Sequence, residues 1–172
     1  MKIGKYYMPI FFTLFLDKIE NFPVDEGDVW VCTFPKSGTT WMQQIVYLLK
    51  TKDFEGGRTI PIDVRVPEIE IPTPYPPKPE NIDEIGKRPT PRLIKSHMAY
   101  CMLPKNINKA KVIYVYRNPR DMLVSFYHFY RAWTASYYEG TFEELVDLFV
   151  DERSKGWEKR ENLLIFFSYL NS

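Results

Sequence analysis

Residues 28–50 read DVWVCTFPKSGTTWMQQIVYLLK, and the fold follows from how this stretch divides. Val29 to Phe34 is a short apolar run rich in β-branched and aromatic residues, the composition of a buried strand. Pro35 has no N–H for a ladder and ends it. Lys36, Ser37, Gly38, Thr39 and Thr40 follow, and then an apolar helical pattern in which Trp41, Ile45, Leu48 and Leu49 share one face. A strand, a small-residue loop and a helix start make an anion site, because the N–H groups of the first helical turn point into the loop and the helix dipole favours negative charge there. Gly38 lets a ligand approach the backbone, Lys36 adds a mobile cation, and the hydroxyls of Ser37, Thr39 and Thr40 add donors. The loop is not a Walker A loop, G-x-x-x-x-G-K-[ST], because the lysine precedes its glycine. It is expected to take a phosphate-like group. An ordinary strand–turn–helix with one exposed lysine is the plain alternative.

Two further strands end in polar residues. Arg92 to His97, RLIKSH, reads as a short strand ending in Lys95, Ser96 and His97. Lys111 to Tyr116, KVIYVY, reads as a third, buried strand, and Arg117, Asn118 and Pro119 follow it. Pro119 suits the first turn of a helix over Arg120 to Trp133, which carries Ser125. Thr141 with Glu144 has the spacing of a capping box ahead of Phe142, Leu145, Leu148 and Phe149. The remainder is less regular. Gly56-Gly57 marks a loop within the polar residues 51–60. Residues 61–91 hold nine of the fourteen prolines, so regular structure is expected to be largely excluded there; a lid, a binding loop and a plain linker all fit. The closing LLIFFSYL is strand-like and is expected to be buried.

Bulk properties narrow the function classes. The 172 residues are 45% apolar and 16% aromatic, a globular composition with enough chain for one core. Twenty-three basic and 22 acidic residues leave a net charge of +1, which gives no reason to propose a nucleic-acid partner; any anion site must be local. Cys32 and Cys101 make no disulfide framework, and two histidines without clustered cysteines offer no metal site, which together fit a cytoplasmic protein. Met8 to Leu16 is apolar, but it is too short to span a bilayer and no small-residue cleavage site follows, so no membrane partner is expected.

In an open parallel sheet the strand ends come side by side, and function gathers at the carboxyl ends. Lys36 to Thr40, Lys95 with His97, and Arg117 with Ser125 would then form one cleft with two anion-binding clusters and a histidine that titrates near neutrality. A satisfied histidine and a surface ion pair of Arg117 with Asp121 are the structural alternatives. These same segments resemble the cytosolic sulfotransferases, over roughly residues 7–152. TFPKSGTTW is similar to that family's 5′-phosphosulfate loop, RLIKSH to the strand carrying its catalytic histidine, and YVYRNPRDMLVSFYHF to its 3′-phosphate segment, with smaller echoes in NFPVDEGDVWV and Tyr137–Phe142. The resemblance implies an α/β fold, a P-loop-like parallel sheet flanked by helices, incomplete at the C-terminus, with residues 1–172 forming a single partial domain. It implies 3′-phosphoadenosine 5′-phosphosulfate (PAPS) as donor and a small, apolar or phenolic hydroxyl compound as acceptor. Lys36, Ser37, Gly38, Thr39, Thr40 and Trp41 would hold the 5′-phosphosulfate, with Trp41 near the adenine, and Arg117 and Ser125 would hold the 3′-phosphate. His97 would be the general base, with Lys36 and Lys95 stabilising charge on the leaving phosphate and the sulfuryl oxygens. Lysines and N–H groups suffice for a singly charged sulfuryl group, so no metal is implied.

The chain also departs from that family. Its Arg-Lys-Gly and Gly-Asp-Trp segments and its dimer-forming segment have no counterpart here, so a C-terminally truncated member of undetermined oligomeric state is expected. The stretch DERSKGWEKRENLLIF looks shortened, and FSYLNS replaces an acidic continuation. Two other readings remain: a catalytically inactive truncated protein acting by weak nucleotide or protein binding, and a P-loop kinase or ATPase. The missing Gly-Lys-Ser/Thr and the lack of a magnesium-binding carboxylate count against the latter.

Overall fold

The computed structural model describes residues 2–3, 6–7, 15–71, 79–132 and 138–150. The chain divides into two compact units, Thr13–Tyr116 and a second made of Met1–Phe12 with Arg117–Ser172.

The larger unit is built on three parallel strands. β3 (Val29–Thr33) is central, with β4 (Leu93–Ser96) on one side and β5 (Lys111–Val115) on the other. All five residues of β3 are buried, as its unbroken apolar run requires when both faces are covered. Val29 and Val31 pack with Val46, Tyr47, Val66 and Leu93 on one face, while Trp30 meets the Phe22 ring edge-on at 5.7 Å on the other. The register sets Val31 against Lys95 and Cys32 against Ser96. The chain leaves β3 for β4 on one side and then returns past it to β5, so the sheet reverses its order at β3; crevices form outside the carboxyl ends at such a point.

The amino ends of β3 and β4 are tied by a buried ion pair. Arg92 donates from Nε to Asp28 Oδ1 at 2.9 Å and from Nη2 to Asp28 Oδ2 at 2.6 Å, and its Nη1 reaches the Gly86 carbonyl at 2.8 Å. The Asp25 N–H donates to the same Asp28 carboxylate at 2.9 Å.

The helices of this unit are α1 (Leu16–Glu20), α2 (Thr39–Thr51), α3 (Phe54–Thr59), α4 (Ile62–Arg65) and α5 (Pro79–Gly86). Four expectations change here. Of the stripe Trp41, Ile45, Leu48 and Leu49, Leu48 packs partly against the core while the other three are exposed, Trp41 at 80%, and α2 instead buries Thr39, Gln43, Val46 and Tyr47; the Gln43 amide is satisfied by the Val66 carbonyl at 2.9 Å. Gly56-Gly57 lies inside α3, because Asp53 caps it by accepting from the Gly56 N–H at 2.8 Å; a Cβ at Gly56 would fall 2.0 Å from Asp53 Oδ2. The proline-rich stretch holds α4 and α5, with Pro79 opening α5, where its missing N–H costs nothing. It also adds a partial edge strand: the Lys95 N–H donates to the Pro67 carbonyl at 2.8 Å, and the Ile69 N–H to the Lys95 carbonyl at 3.0 Å. Finally, β5 is only partly covered, with Val112 and Tyr114 exposed, because it is an edge strand among the described residues.

The second unit contains a short antiparallel pair, β1 (Lys2–Ile3) with β2 (Tyr6–Tyr7), and the helices α6 (Pro119–Ala132) and α7 (Phe142–Val150). Pro119 opens α6 as expected. The capping box forms: the Glu144 N–H donates to Thr141 Oγ1 at 3.2 Å, and the Thr141 N–H to Glu144 Oε2 at 2.7 Å. Phe126 stacks on Tyr130 at 4.4 Å, and Tyr127 meets Phe142 at 5.5 Å, joining α6 to α7. The LLIFFSYL segment and residues 8–14 lie outside the described residues. No described helix is long and apolar enough to cross a membrane.

Candidate active site at the carboxyl ends of the strands

The loop after β3 is shaped by two left-handed residues. Lys36 has φ 65° and Gly38 φ 108°. A lysine in this region carries local strain of roughly 1–3 kcal/mol, the kind of strain that gathers at functional sites. Gly38 needs its freedom for the backbone angle alone, since a Cβ there meets nothing within 4 Å. That open side is where a ligand could approach the backbone. Gly38 sits at the N-cap of α2 without a side-chain cap, and its carbonyl accepts the first helical bond, from Met42, at 3.1 Å. The N–H groups of Thr39, Thr40 and Trp41 have no place in the intrahelical ladder and point out of the helix end.

A hydroxyl relay joins this loop to His97. Thr33 and Thr39 hydroxyls lie 2.6 Å apart, and the Thr33 hydroxyl is 3.1 Å from His97 Nδ1. Nδ1 is also 2.8 Å from the Thr33 carbonyl oxygen. A carbonyl only accepts, so Nδ1–H donates to it and the lone pair of the neutral ring belongs to Nε2. Burial lowers the imidazole pKa, and Lys95 lowers it further, while the Glu68 charge and the Thr33 carbonyl oppose them. The half-buried ring is therefore neutral at pH 7, as a base must be.

Two glutamates complete the constellation. Glu68 pairs with Lys95 at 2.5 Å, and the two side chains are 18% and 13% exposed. Glu70 is buried; its Oε1 accepts from the Ser96 hydroxyl at 2.7 Å and from the His97 N–H, while Oε2 has no hydrogen-bond partner. Burial, then the neighbouring Glu68 charge, pushes the Glu70 carboxyl up to about 8. Cys32, opposite Ser96 in the sheet register, is buried as well, and burial pushes its thiol up to about 12, which makes it unreactive.

The larger unit thus holds Lys36, Ser37, Gly38, Thr39, Thr40, Trp41, Lys95 and His97, and of these the hydroxyl relay joins Thr39 to His97 through Thr33. Arg117 and Ser125 belong to the second unit, Arg117 exposed just before α6 and Ser125 half-buried within it. Ser37 and Thr39 are buried, and Trp41 is exposed. Among the described residues no group of three or more His, Cys, Asp and Glu could hold a metal ion. Sequence reasoning passed over Thr33, Glu68 and Glu70. Thr33 is a hydroxyl closing an otherwise apolar strand, and Glu68-Ile69-Glu70 places two carboxylates in an apolar run, which are signals that could have drawn attention to them.

Comparison with known proteins identifies the family. The sulfotransferase-domain family matches residues 26–163. Sulfotransferase 4A1 of Homo sapiens is 36% identical over 168 residues, covering 90% of this chain and 57% of that protein. The amine sulfotransferase of Oryctolagus cuniculus is 39% identical over 164 residues, covering 86% and 50%. Among solved structures, mouse sulfotransferase SULT7A1 complexed with PAP superposes with a TM-score of 0.60 at 28% identity, covering 78% of this chain and 44% of that one. The chain spans about half the length of the curated relatives it matches. With its β3–α2 loop and the histidine that follows β4 both inside the matched region, the chain belongs to the sulfotransferase family.

Proposed function

We propose that the chain binds PAPS at the β3–α2 loop and moves its sulfuryl group to the hydroxyl of a small apolar or phenolic acceptor, with residues 1–172 acting as one partial sulfotransferase domain in the cytoplasm. The observation that carries this is the tautomer of His97. Its Nδ1–H is held by the Thr33 carbonyl, and the Thr33 hydroxyl in turn meets the first residue of α2, so the basic Nε2 is fixed relative to the anion loop. The PAP complex of the mouse relative supports the donor class.

The residues fit such a donor. Gly38 leaves open space, the first turn of α2 offers N–H groups, and Ser37, Thr39 and Thr40 add hydroxyls to hold the 5′-phosphosulfate, with Trp41 near the adenine. Arg117 and Ser125 would take the 3′-phosphate. PAPS supplies an activated sulfuryl group. His97 Nε2 takes the acceptor's hydroxyl proton as the acceptor oxygen bonds to sulfur and the sulfur–phosphate oxygen bond breaks, leaving the sulfate ester, PAP and a protonated imidazole. Lys36 offsets charge on the departing phosphate, and Lys95 offsets charge on the sulfuryl oxygens.

The test is turnover with PAPS and para-ethylphenol, following the aryl sulfate formed. Wild type is expected to turn over and His97→Ala to lose about 10²–10⁴-fold. Equal turnover by both proteins would remove His97 from the chemistry. PAP binding without any turnover would favour the second reading, an inactive nucleotide-binding protein. The Lys95–Glu68 pair is the observation on that side, since it neutralises a lysine assigned to catalysis.

A further inference from the structure

Lys95 has a part in the chemistry just described, but its ion-pair partner Glu68 has none. Lys95 lies in β4 and His97 follows its last residue, Ser96, so both stand at the carboxyl end of this strand. Glu68 reaches them from the added edge segment, where it bridges to Lys95 in parallel register. Its charge is felt at both His97 and Glu70. An acceptor that presents its hydroxyl to His97 therefore comes within reach of the Glu68 charge.

With Lys95 assigned to the sulfuryl oxygens, its ammonium is shared between them and Glu68, and any turn toward them weakens the pairing with Glu68. A largely desolvated carboxylate without a counter-charge is costly. An ammonium group on the acceptor would restore the pairing at that moment. A carboxylate on the acceptor would instead face Glu68 with like charge. An acceptor with neither leaves Glu68 to whatever water can reach it.

We propose that Glu68 is the acceptor-selecting residue of this site: its carboxylate favours hydroxyl compounds that also carry an ammonium group and disfavours those that carry a carboxylate. This rests on the sulfuryl-transfer reading above. It also gives the lysine–glutamate contact a use: the contact holds Lys95 in place until donor and acceptor are both present, and then exchanges one cation for another.

The experiment compares kcat/KM for tyramine, para-ethylphenol and para-hydroxyphenylpropionate, which share a phenol and differ in side-chain charge. Wild type is expected to prefer tyramine to the propionate by about tenfold or more, the scale on which like and unlike charges are told apart in a partly desolvated site. Glu68→Gln, which keeps the shape, is expected to bring that ratio close to one. A wild-type ratio near one overturns the inference without any variant. An unchanged ratio in an active Glu68→Gln protein also overturns it, while sulfuryl transfer itself stands. Failure of wild type to sulfate any of the three overturns the sulfuryl-transfer reading, and the inference with it.

Discussion

The two ends of the central sheet are built from similar residues to opposite effect. At the amino ends, Asp28 and Arg92 form a bidentate pair with nearly every valence used: Arg92 also reaches the Gly86 carbonyl, and Asp28 also takes the Asp25 N–H. Both side chains are almost fully buried, at 0% and 4% exposed. At the carboxyl ends, Glu68 and Lys95 meet through one contact and stay partly exposed. There Glu70 keeps an oxygen without a partner, and Lys36 and Gly38 hold left-handed angles. A saturated pair has nothing left to give a ligand. An unsaturated one stores binding capacity. The difference separates stability from function within one sheet, since the carboxyl end carries both backbone strain and an unmet polar group.

Several substitutions can break or sharpen that contrast. The largest effect belongs to the closed end. Arg92→Ala leaves Asp28 buried and unpaired, and is expected to destabilise the fold by about 3–5 kcal/mol in urea unfolding. A loss under about 1 kcal/mol, the range of exposed pairs, would show that this end is not the structural one.

Next comes His97, whose replacement by alanine is expected to remove turnover while leaving stability and PAP affinity nearly unchanged. The acid limb of the wild-type kcat/KM profile should lie below the ordinary imidazole value of 6.5, because burial disfavours the charged ring. Glu68→Gln should move that limb lower still, since the glutamate charge holds it up. A limb above 6.5 would contradict the burial argument.

Glu70 gives a smaller effect with a definite sign. Its folded carboxyl is raised from 4.5 to about 8, so between those values the folded protein holds a proton that the unfolded chain has lost. That contribution to stability is complete below about 4.5 and disappears as pH rises through about 8. A glutamine side chain has no such proton to lose, so the stability of Glu70→Gln relative to wild type should increase as pH rises through this window. A constant difference would place the Glu70 carboxyl in an ordinary, hydrated state.

Thr141→Ala lies at neither end of the sheet. It removes the cap of α7 and should cost about 1 kcal/mol with no change in PAP binding, which sets the scale of a purely local loss.

What could be read from the sequence was local. The β-branched run of β3, the proline after it, the glycine loop and the Thr141–Glu144 box each depend on residues a few positions apart, and each formed as expected. What could not be read depends on partners distant in the chain. The outward stripe of α2 is as periodic as its buried one, and only the Val66 carbonyl explains why Gln43 turns inward in place of Trp41. Gly56-Gly57 looks like a loop until Asp53 is seen to cap it. The exposure of β5 depends on what pairs beside it, which its own apolar composition does not encode. Lys36 and His97 were legible because the loop and the strand end are short motifs. Glu68 and Glu70 were hidden because their partners, Lys95 and Ser96, lie far along the chain, across the proline-rich segment.

The central claim, that the open carboxyl end is a donor site, is tested most directly by calorimetric titration of the chain with PAP, with ATP as control and Lys36→Ala beside it. Micromolar PAP binding is expected, with ATP much weaker and Lys36→Ala weaker by at least tenfold, since a charge-assisted hydrogen bond contributes about 1.5–3 kcal/mol. Folded protein that takes up no PAP, or binds it equally well without Lys36, would contradict the account.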